Sequence, residues 1–272
     1  MSGSNFSLSF SLLITLLVLV APNCIKAQRS FELVKSFPAQ EAFQAVAVDS
    51  RYFYAIASRS IGKYDKTTGK KILTWQEDQD GAILHLDSGV IIDGYLYAAH
   101  SNYPELPMTS SVEIWDTKTL KHTGSHSFGI RWGSCTWLDR YEGAWWAVFA
   151  HYNEFKDQLG KDNRWTTLVK FNDDWDPLQS WVFPEEVLKR FDAKSNSGGS
   201  WGSDDLLYLS GHDRPEIYAM RLPKKGSILE LEEIIPVVSE GQGIAWDRSD
   251  KGVIYTISRD KREVNILKLR SE

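Results

Sequence analysis

One strand pattern recurs five times in this chain, and that recurrence limits the fold more than any other feature. Five apolar stretches each run into an aspartate: Ala45-Val-Ala-Val-Asp49, Val90-Ile-Ile-Asp93, Cys135-Thr-Trp-Leu-Asp139, Ser200-Trp-Gly-Ser-Asp204 and Ile244-Ala-Trp-Asp247. A short polar turn follows each, and then a second strand around Tyr54, Tyr97, Trp146, Tyr208 or Tyr255. A third strand comes next, with alternating apolar positions in Ile61–Asp65, Val112–Asp116, Leu168–Phe171, Ile217–Met220 and Val264–Leu269. Alternation of period two, bounded by turn residues, marks half-buried strands. In the first two copies, Asp65-Lys-Thr-Thr-Gly69 and Asp116-Thr-Lys-Thr-Leu120 supply hairpin chemistry leading into a fourth strand.

The marker aspartates stand 44, 46, 65 and 43 residues apart. A four-stranded propeller blade takes roughly 40 to 45 residues, so one copy is enlarged. The fifth copy stops at Glu272 after three strands, and Phe31-Glu-Leu-Val-Lys-Ser-Phe37 at the other end of the chain offers the strand it lacks. Joining the ends closes a ring and removes two open sheet edges. The expected fold is all-β: a five-bladed β-propeller of four-stranded blades, closed by an N-terminal strand that completes the last blade. Another blade count, a β-sandwich or two small β domains also fit regularly spaced short strands. Only Pro184–Phe191 reads as a helix, with proline at its start and acids in its first turn.

Ahead of the repeats, residues 1–27 hold no acidic side chain and a single basic one, Lys26, with an apolar run between Phe6 and Ala21. That run is short for a bilayer span and reads as a signal peptide cut after Ala27, leaving 28–272 as one domain, secreted or periplasmic. Cys24 invites a lipid-attachment reading, but Ala21-Pro22-Asn23 is a poor approach to such a site. Removal of the leader leaves Cys135 alone, so no intramolecular disulfide can form and packing must supply the stability. The formal charge is −5, with no basic block, which disfavours nucleic acid and anionic membrane surfaces as partners. A monomer is expected. Eleven tryptophans suit sheets that stack face to face.

The repeat register also indicates a working face. In a propeller the loops between strands two and three, and between strand four and the next strand one, emerge together; this is the top face. The long connections His100–Ser111 and His151–Arg164 and the helix lie there, and long loops on a rigid ring are where binding resides. The end of strand two carries Arg59, His100, His151, His212 and Arg259, and the start of strand one carries Gln44, Ser88, Ser134, Gly199 and Gln242. Trp132, Tyr103, Tyr152 and Trp201 lie in or beside the same loops. Two arginines and three histidines suit an anion such as a carboxylate or phosphate; pairing with neighbouring aspartates such as Asp213 and Asp260 is the structural alternative. The candidate ligand-binding set is therefore Arg59, His100, His151, His212, Arg259, Gln44, Gln242 and Trp132.

His100, His151 and His212 are also the candidate acids or bases, beside Glu41, Asp87, Asp213 and Glu240 as possible carboxylates. No HExxH or paired-cysteine spacing occurs, so no metal is assigned and no cofactor is indicated. Gly198-Gly-Ser200-Trp-Gly202 satisfies G-x-S-x-G, yet a nucleophile elbow needs a strand before it and a helix after it, and here the order is reversed. Glycines admitting a crowded inner strand explain it better.

The repeat is similar to quinoprotein-like and WD-type propeller repeats, a likeness that implies fold only. Phe37-Pro38, Ala42-Phe43-Gln44 and Gly243-Ile-Ala-Trp-Asp247 resemble the plant-type glutamine cyclotransferases, secreted five-bladed propellers that close an amino-terminal Gln into pyroglutamate. Blades two to four depart from that family, so its catalytic carboxylate is carried over to no residue here. Three uses of the top face follow as expectations. The first is binding of an anionic small molecule, sugar or peptide terminus; the second is a cyclase, lyase or lactonase using a histidine; the third is a protein-interaction scaffold.

Overall fold

The strands form five separate four-stranded antiparallel sheets, and the architecture follows from how those sheets stack. The structure, a computed structural model, describes residues 28–271 together with Gly3; the expected leader lies outside the described residues. Blade 1 contains β2 (Ala45–Val48), β3 (Tyr52–Ala57), β4 (Ser60–Asp65) and β5 (Lys71–Gln76). Blade 2 contains β6 (His85–Ile92), β7 (Tyr95–Ser101), β8 (Ser110–Asp116) and β9 (Lys121–Gly129). Blade 3 contains β10 (Ser134–Tyr141), β11 (Ala144–Ala150), β12 (Thr167–Phe171) and β13 (Pro177–Val182). Blade 4 contains β14 (Gly198–Trp201), β15 (Leu207–Ser210), β16 (Glu216–Arg221) and β17 (Glu230–Pro236). Blade 5 joins β18 (Ala245–Trp246), β19 (Val253–Ser258) and β20 (Glu263–Ser271) to β1 (Arg29–Pro38) from the start of the chain.

The ring is a five-bladed β-propeller, closed as the sequence indicates. β1 pairs antiparallel with β20 from Arg29↔Ser271 to Pro38↔Glu263, with a register shift between Leu33 and Lys35. Innermost strands β2, β6, β10, β14 and β18 touch in cyclic order. Alternation places apolar side chains on both faces of each blade, so the core divides into five layers, one at each blade interface. Trp137, Trp146 and Trp201 fill the interface of blades 3 and 4, and Phe37, Phe53, Tyr64 and Tyr255 fill that of blades 5 and 1. Phe37 stacks on Phe53 at 5.6 Å and Phe53 on Tyr64 at 5.0 Å, so the N-terminal strand locks the ring through its side chains as well as its backbone.

Asp49 and Asp247 cap the turns that follow them, because a short carboxylate can accept from backbone N–H groups two and three residues on. Asp49 accepts from the N–H of Arg51 and of Tyr52, each at 2.7 Å, and from Tyr54 Oη at 2.9 Å. Tyr208 Oη donates likewise to Asp204 at 2.7 Å. One local feature differs from the sequence reading. The His151–Arg164 connection contains helical turns at Asn153–Phe155, Lys156–Leu159 and Asn163–Trp165, in addition to the expected helix at Glu185–Phe191. In the turn after β12, Trp175 folds back to stack on Trp145 at 4.8 Å.

Small residues plug the centre of the ring. A Cβ on Gly243 would lie 2.3 Å from both Ala45 Cβ and Ser88 Oγ, and one on Gly198 would lie 2.7 Å from Gly243 Cα. The plug separates a cavity on the top face from those on the bottom face. Gly199 serves the same close packing, where a Cβ would lie 2.4 Å from the Trp137 ring. Ser200 Oγ donates to Asp139 at 3.2 Å and accepts from Trp246 N at 3.2 Å within a strand. The G-x-S-x-G match is therefore a packing feature.

Candidate functional site

Strand one of a propeller blade begins on the top face, and in two blades a β-bulge there turns a polar side chain toward the axis. Pairing of β6 with β7 slips between Leu86 and Gly89, which inserts Asp87 and Ser88 as an extra step. Pairing of β10 with β11 slips between Cys135 and Trp137, at Thr136. Bulges re-aim side chains and recur beside active sites. Asp87 and Thr136 line one blind cavity of about 140 Å³, with Gln44, Ser197, Gln242 and Arg259 and, on its other side, His85, Tyr103, Tyr152, Lys194 and His212.

Asp87 is the most unusual group in it. The residue is only 5 % exposed, and His85 Nε2 lies 3.7 Å from its Oδ2, too far for a direct hydrogen bond. Burial raises its pKa well above the ordinary carboxyl value, with the Arg259 charge pulling the other way. The Thr136 hydroxyl beside it is buried without a partner. His85 is driven the other way, down to about 4, by burial and then by the charges of His100, Arg259 and His212. Burial thus disfavours the charged form of both groups, the imidazolium of His85 and the carboxylate of Asp87. Among the described residues no hydrogen bond reaches the Asp87 carboxyl, which leaves it open to a donor on a ligand.

The opposite wall is cationic and firmly held. Arg259 donates through Nε to Phe43 O at 3.0 Å and through Nη2 to Gln44 Oε1 at 3.0 Å, with its guanidinium over the Phe43 ring at 4.5 Å. Gln44 Nε2 in turn donates to Ser58 Oγ at 3.1 Å. His212 has Asp213 Oδ1 at 2.5 Å from Nδ1 and Arg259 Nη1 at 3.5 Å from Nε2. Gln242 Nε2 donates to His212 O at 3.2 Å, from a residue whose φ of 71° lies in the left-handed region. Such backbone strain in a side chain that lines a cavity is a mark of functional sites.

Across from it, Lys194 Nζ donates to Tyr103 Oη at 2.9 Å and to Glu154 at 2.9 and 3.0 Å. Burial opposes the charge on Lys194, but Tyr103 and Glu154 hold its pKa above the usual value. Tyr103 packs its ring 5.2 Å from both His85 and Tyr152. Three insertions, from blades 2, 3 and 4, meet at this cluster.

Of the eight residues expected to bind ligand, the structure places Gln44, His212, Gln242 and Arg259 in the cavity lining. Arg59 is turned to the next loop, where it donates to the carbonyls of Asp78 and Gln79. His100 accepts from Leu84 N at 3.0 Å and reaches Ser111 Oγ at 2.9 Å, which fixes both ring nitrogens inside blade 2. Burial lowers the His100 pKa. His151 donates through Nε2 to Trp132 O at 3.0 Å, and burial followed by the Lys161 charge takes its pKa down to about 4. Trp132 stacks on Phe149 at 5.7 Å under the Arg131 guanidinium. These four side chains tie loops to blades. His85 and Lys194 carried no signal in the repeat register, because one lies at the start of β6, ahead of the apolar stretch Val90–Asp93, and the other sits in the enlarged linker of blade 4. Among the described residues, no three His, Cys, Asp or Glu side chains gather to hold a metal. Likewise no described helix is long and apolar enough to cross a membrane.

No protein-family model matches the chain, and no curated protein matches it. Among solved structures it is similar to the crystal structure of the glutaminyl cyclase of Myxococcus xanthus. The TM-score is 0.61 at 10 % identity, over 91 % of this chain and 99 % of that one. It is similar also to the PQQ-bound aldose sugar dehydrogenase of Streptomyces coelicolor, with a TM-score of 0.52 at 10 % identity over 90 % and 99 % of the two chains. At such identities the likeness concerns the fold alone.

Proposed function

We propose that this protein is an exported acid–base enzyme acting on a small polar molecule or peptide end bound in the top-face cavity. The observation that carries the reading is Asp87: a buried carboxyl, its pKa raised by burial, that lines the cavity and accepts no hydrogen bond from the described residues. An acid whose pKa is lifted toward neutrality is suited to give a proton to a leaving group and take one back. Arg259 and Lys194 supply positive charge around it, suited to a substrate carboxylate or to the oxyanion of an attacked carbonyl.

Closure of an amino-terminal glutaminyl group is the reaction class favoured by the fold it shares with a glutaminyl cyclase and by the sequence resemblance around Gln44 and Gly243. It needs neither cofactor nor second substrate. The amine nitrogen attacks the side-chain amide carbon, the new C–N bond forms, and the old one breaks to release ammonia. Asp87 would donate its proton to the departing nitrogen and recover one from the attacking amine. Binding of an anion without turnover is a second reading, favoured by the two cations in the lining.

Ammonia release from a glutaminyl dipeptide tests the first reading. Wild type is expected to turn it over, and Asp87→Asn to lower kcat by about 10²- to 10⁴-fold with KM little changed. Turnover unaffected by that change would remove Asp87 from the mechanism. A saturable thermal shift with succinate or phosphate, but no turnover, would leave the binding reading instead.

A further inference from the structure

A second cavity, of about 430 Å³, opens on the bottom face where the first strands of blades 3, 4 and 5 end. It lies at the far end of those strands from Asp87, and nothing in the top-face reading bears on it. Its lining includes Tyr141, Trp201, Trp246, Arg248 and Lys251.

Two features set it apart. Trp201 and Trp246 are 4 % and 7 % exposed, and neither indole Nε1–H has an acceptor. Buried donors are nearly always satisfied in native folds, and of the three described tryptophans with an orphaned indole N–H, Trp115, Trp201 and Trp246, two border this cavity. Arg248 spends Nη2 on Asp139 and on Arg140 O, and no described residue hydrogen-bonds its Nε or Nη1. No described residue pairs with the Lys251 ammonium, and Asp247, the carboxylate of the lining, is already ion-paired with Lys66. Donors in the lining therefore exceed free acceptors. Tyr141 lies flat on Trp201, with centroids 4.5 Å apart and planes 9° from parallel, and its hydroxyl is held by Asp205 at 2.5 Å.

We propose that this cavity is a second binding site, for a ring-shaped carboxylate rich in acceptor oxygens, of which a uronate sugar is the simplest. Its apolar ring face would lie against the Tyr141–Trp201 aromatics, its hydroxyl oxygens would accept from the two indoles, and its carboxylate would meet Lys251 and Arg248. An aromatic carboxylate shares the flat body and the charge but lacks the hydroxyls.

Nitrogen-15 labelling of the tryptophans makes each indole N–H a reporter, with Trp201→Phe and Trp246→Phe assigning the two resonances. Titration with digalacturonate is expected to shift both in a saturable way below about 10 mM, the range of a weak site. Lys251→Ala, an exposed change that leaves the core intact, is expected to weaken binding roughly five- to tenfold. Neutral galactobiose is expected to bind more weakly still, and equal binding of it would overturn the anionic assignment. Shifts with benzoate but not with digalacturonate would overturn the sugar and leave an aromatic acid as the ligand. If none of these probes moves either resonance, the site does not exist.

Discussion

Replacing Asp87 by asparagine removes a proton whose energetic cost can be followed with pH. An unfolded carboxyl titrates near about 3.9, whereas burial lifts the folded value of Asp87 well above that. Between the two values the folded protein holds a proton that the unfolded chain has lost. The folded state then binds one proton more, and stability must fall as pH rises, by about 1.4 kcal/mol per unit. Stability from the protonated carboxyl is complete below the unfolded pKa, and the decline ends only when the folded carboxyl ionises. Asparagine does not titrate. The stability of Asp87→Asn relative to wild type should therefore climb by about 1.4 kcal/mol per pH unit and level off at the folded pKa of Asp87. Urea unfolding followed by tryptophan fluorescence, at closely spaced pH from 5 upward, measures the difference. Titrations of His85 and His151 largely cancel in it, and both rings are neutral above about pH 7 in either state. A difference that stays flat with pH would refute the protonated, ligand-facing carboxyl, and with it the acid assigned to the site.

Four further outcomes follow from the packing and the charges. His85 and His151 are held down to about 4, so below an unfolded value of about 6.5 the unfolded chain takes up protons that the native rings refuse. Stability then falls as the pH drops from about 6.5 toward 4, by up to about 3 kcal/mol per ring, and the His151 ring proton should not shift in NMR between about pH 8 and 5. Gly243→Ala drives a methyl into Ala45 and Ser88 and should cost about 1 to 3 kcal/mol in chemical denaturation. Gly124→Ala meets nothing nearer than Ile114 Cδ1 at 4.0 Å and should change stability by less than about 0.5 kcal/mol. Phe37→Ala empties the ring-closing contact with Phe53 and should cost about 3 to 5 kcal/mol; a loss under about 1 kcal/mol would mean that β1 closes the ring through its backbone alone.

What the sequence by itself determined was the ring. Strand alternation and the aspartates that end it are local properties of the chain, and they repeat often enough to indicate five blades in chain order and a place for Phe31–Phe37 beside the last strand. The face that carries the cavity was legible too, since loop lengths alone place the insertions. Which side chains meet in that cavity was decided only in three dimensions. Arg259 and His100 share a register position, yet Arg259 is braced into the cavity by Phe43 and Gln44, whereas His100 is captured by Leu84 N and Ser111. Asp87 and Thr136 reach the site because one extra residue bulges each strand, and a bulge leaves no mark in a period-two pattern. Lys194 arrives from a long linker whose path is set by Tyr103 and Glu154, partners 91 and 40 residues away. The fold is written in short-range periodicity, whereas the site depends on single residues that break it and on contacts that only the closed ring creates.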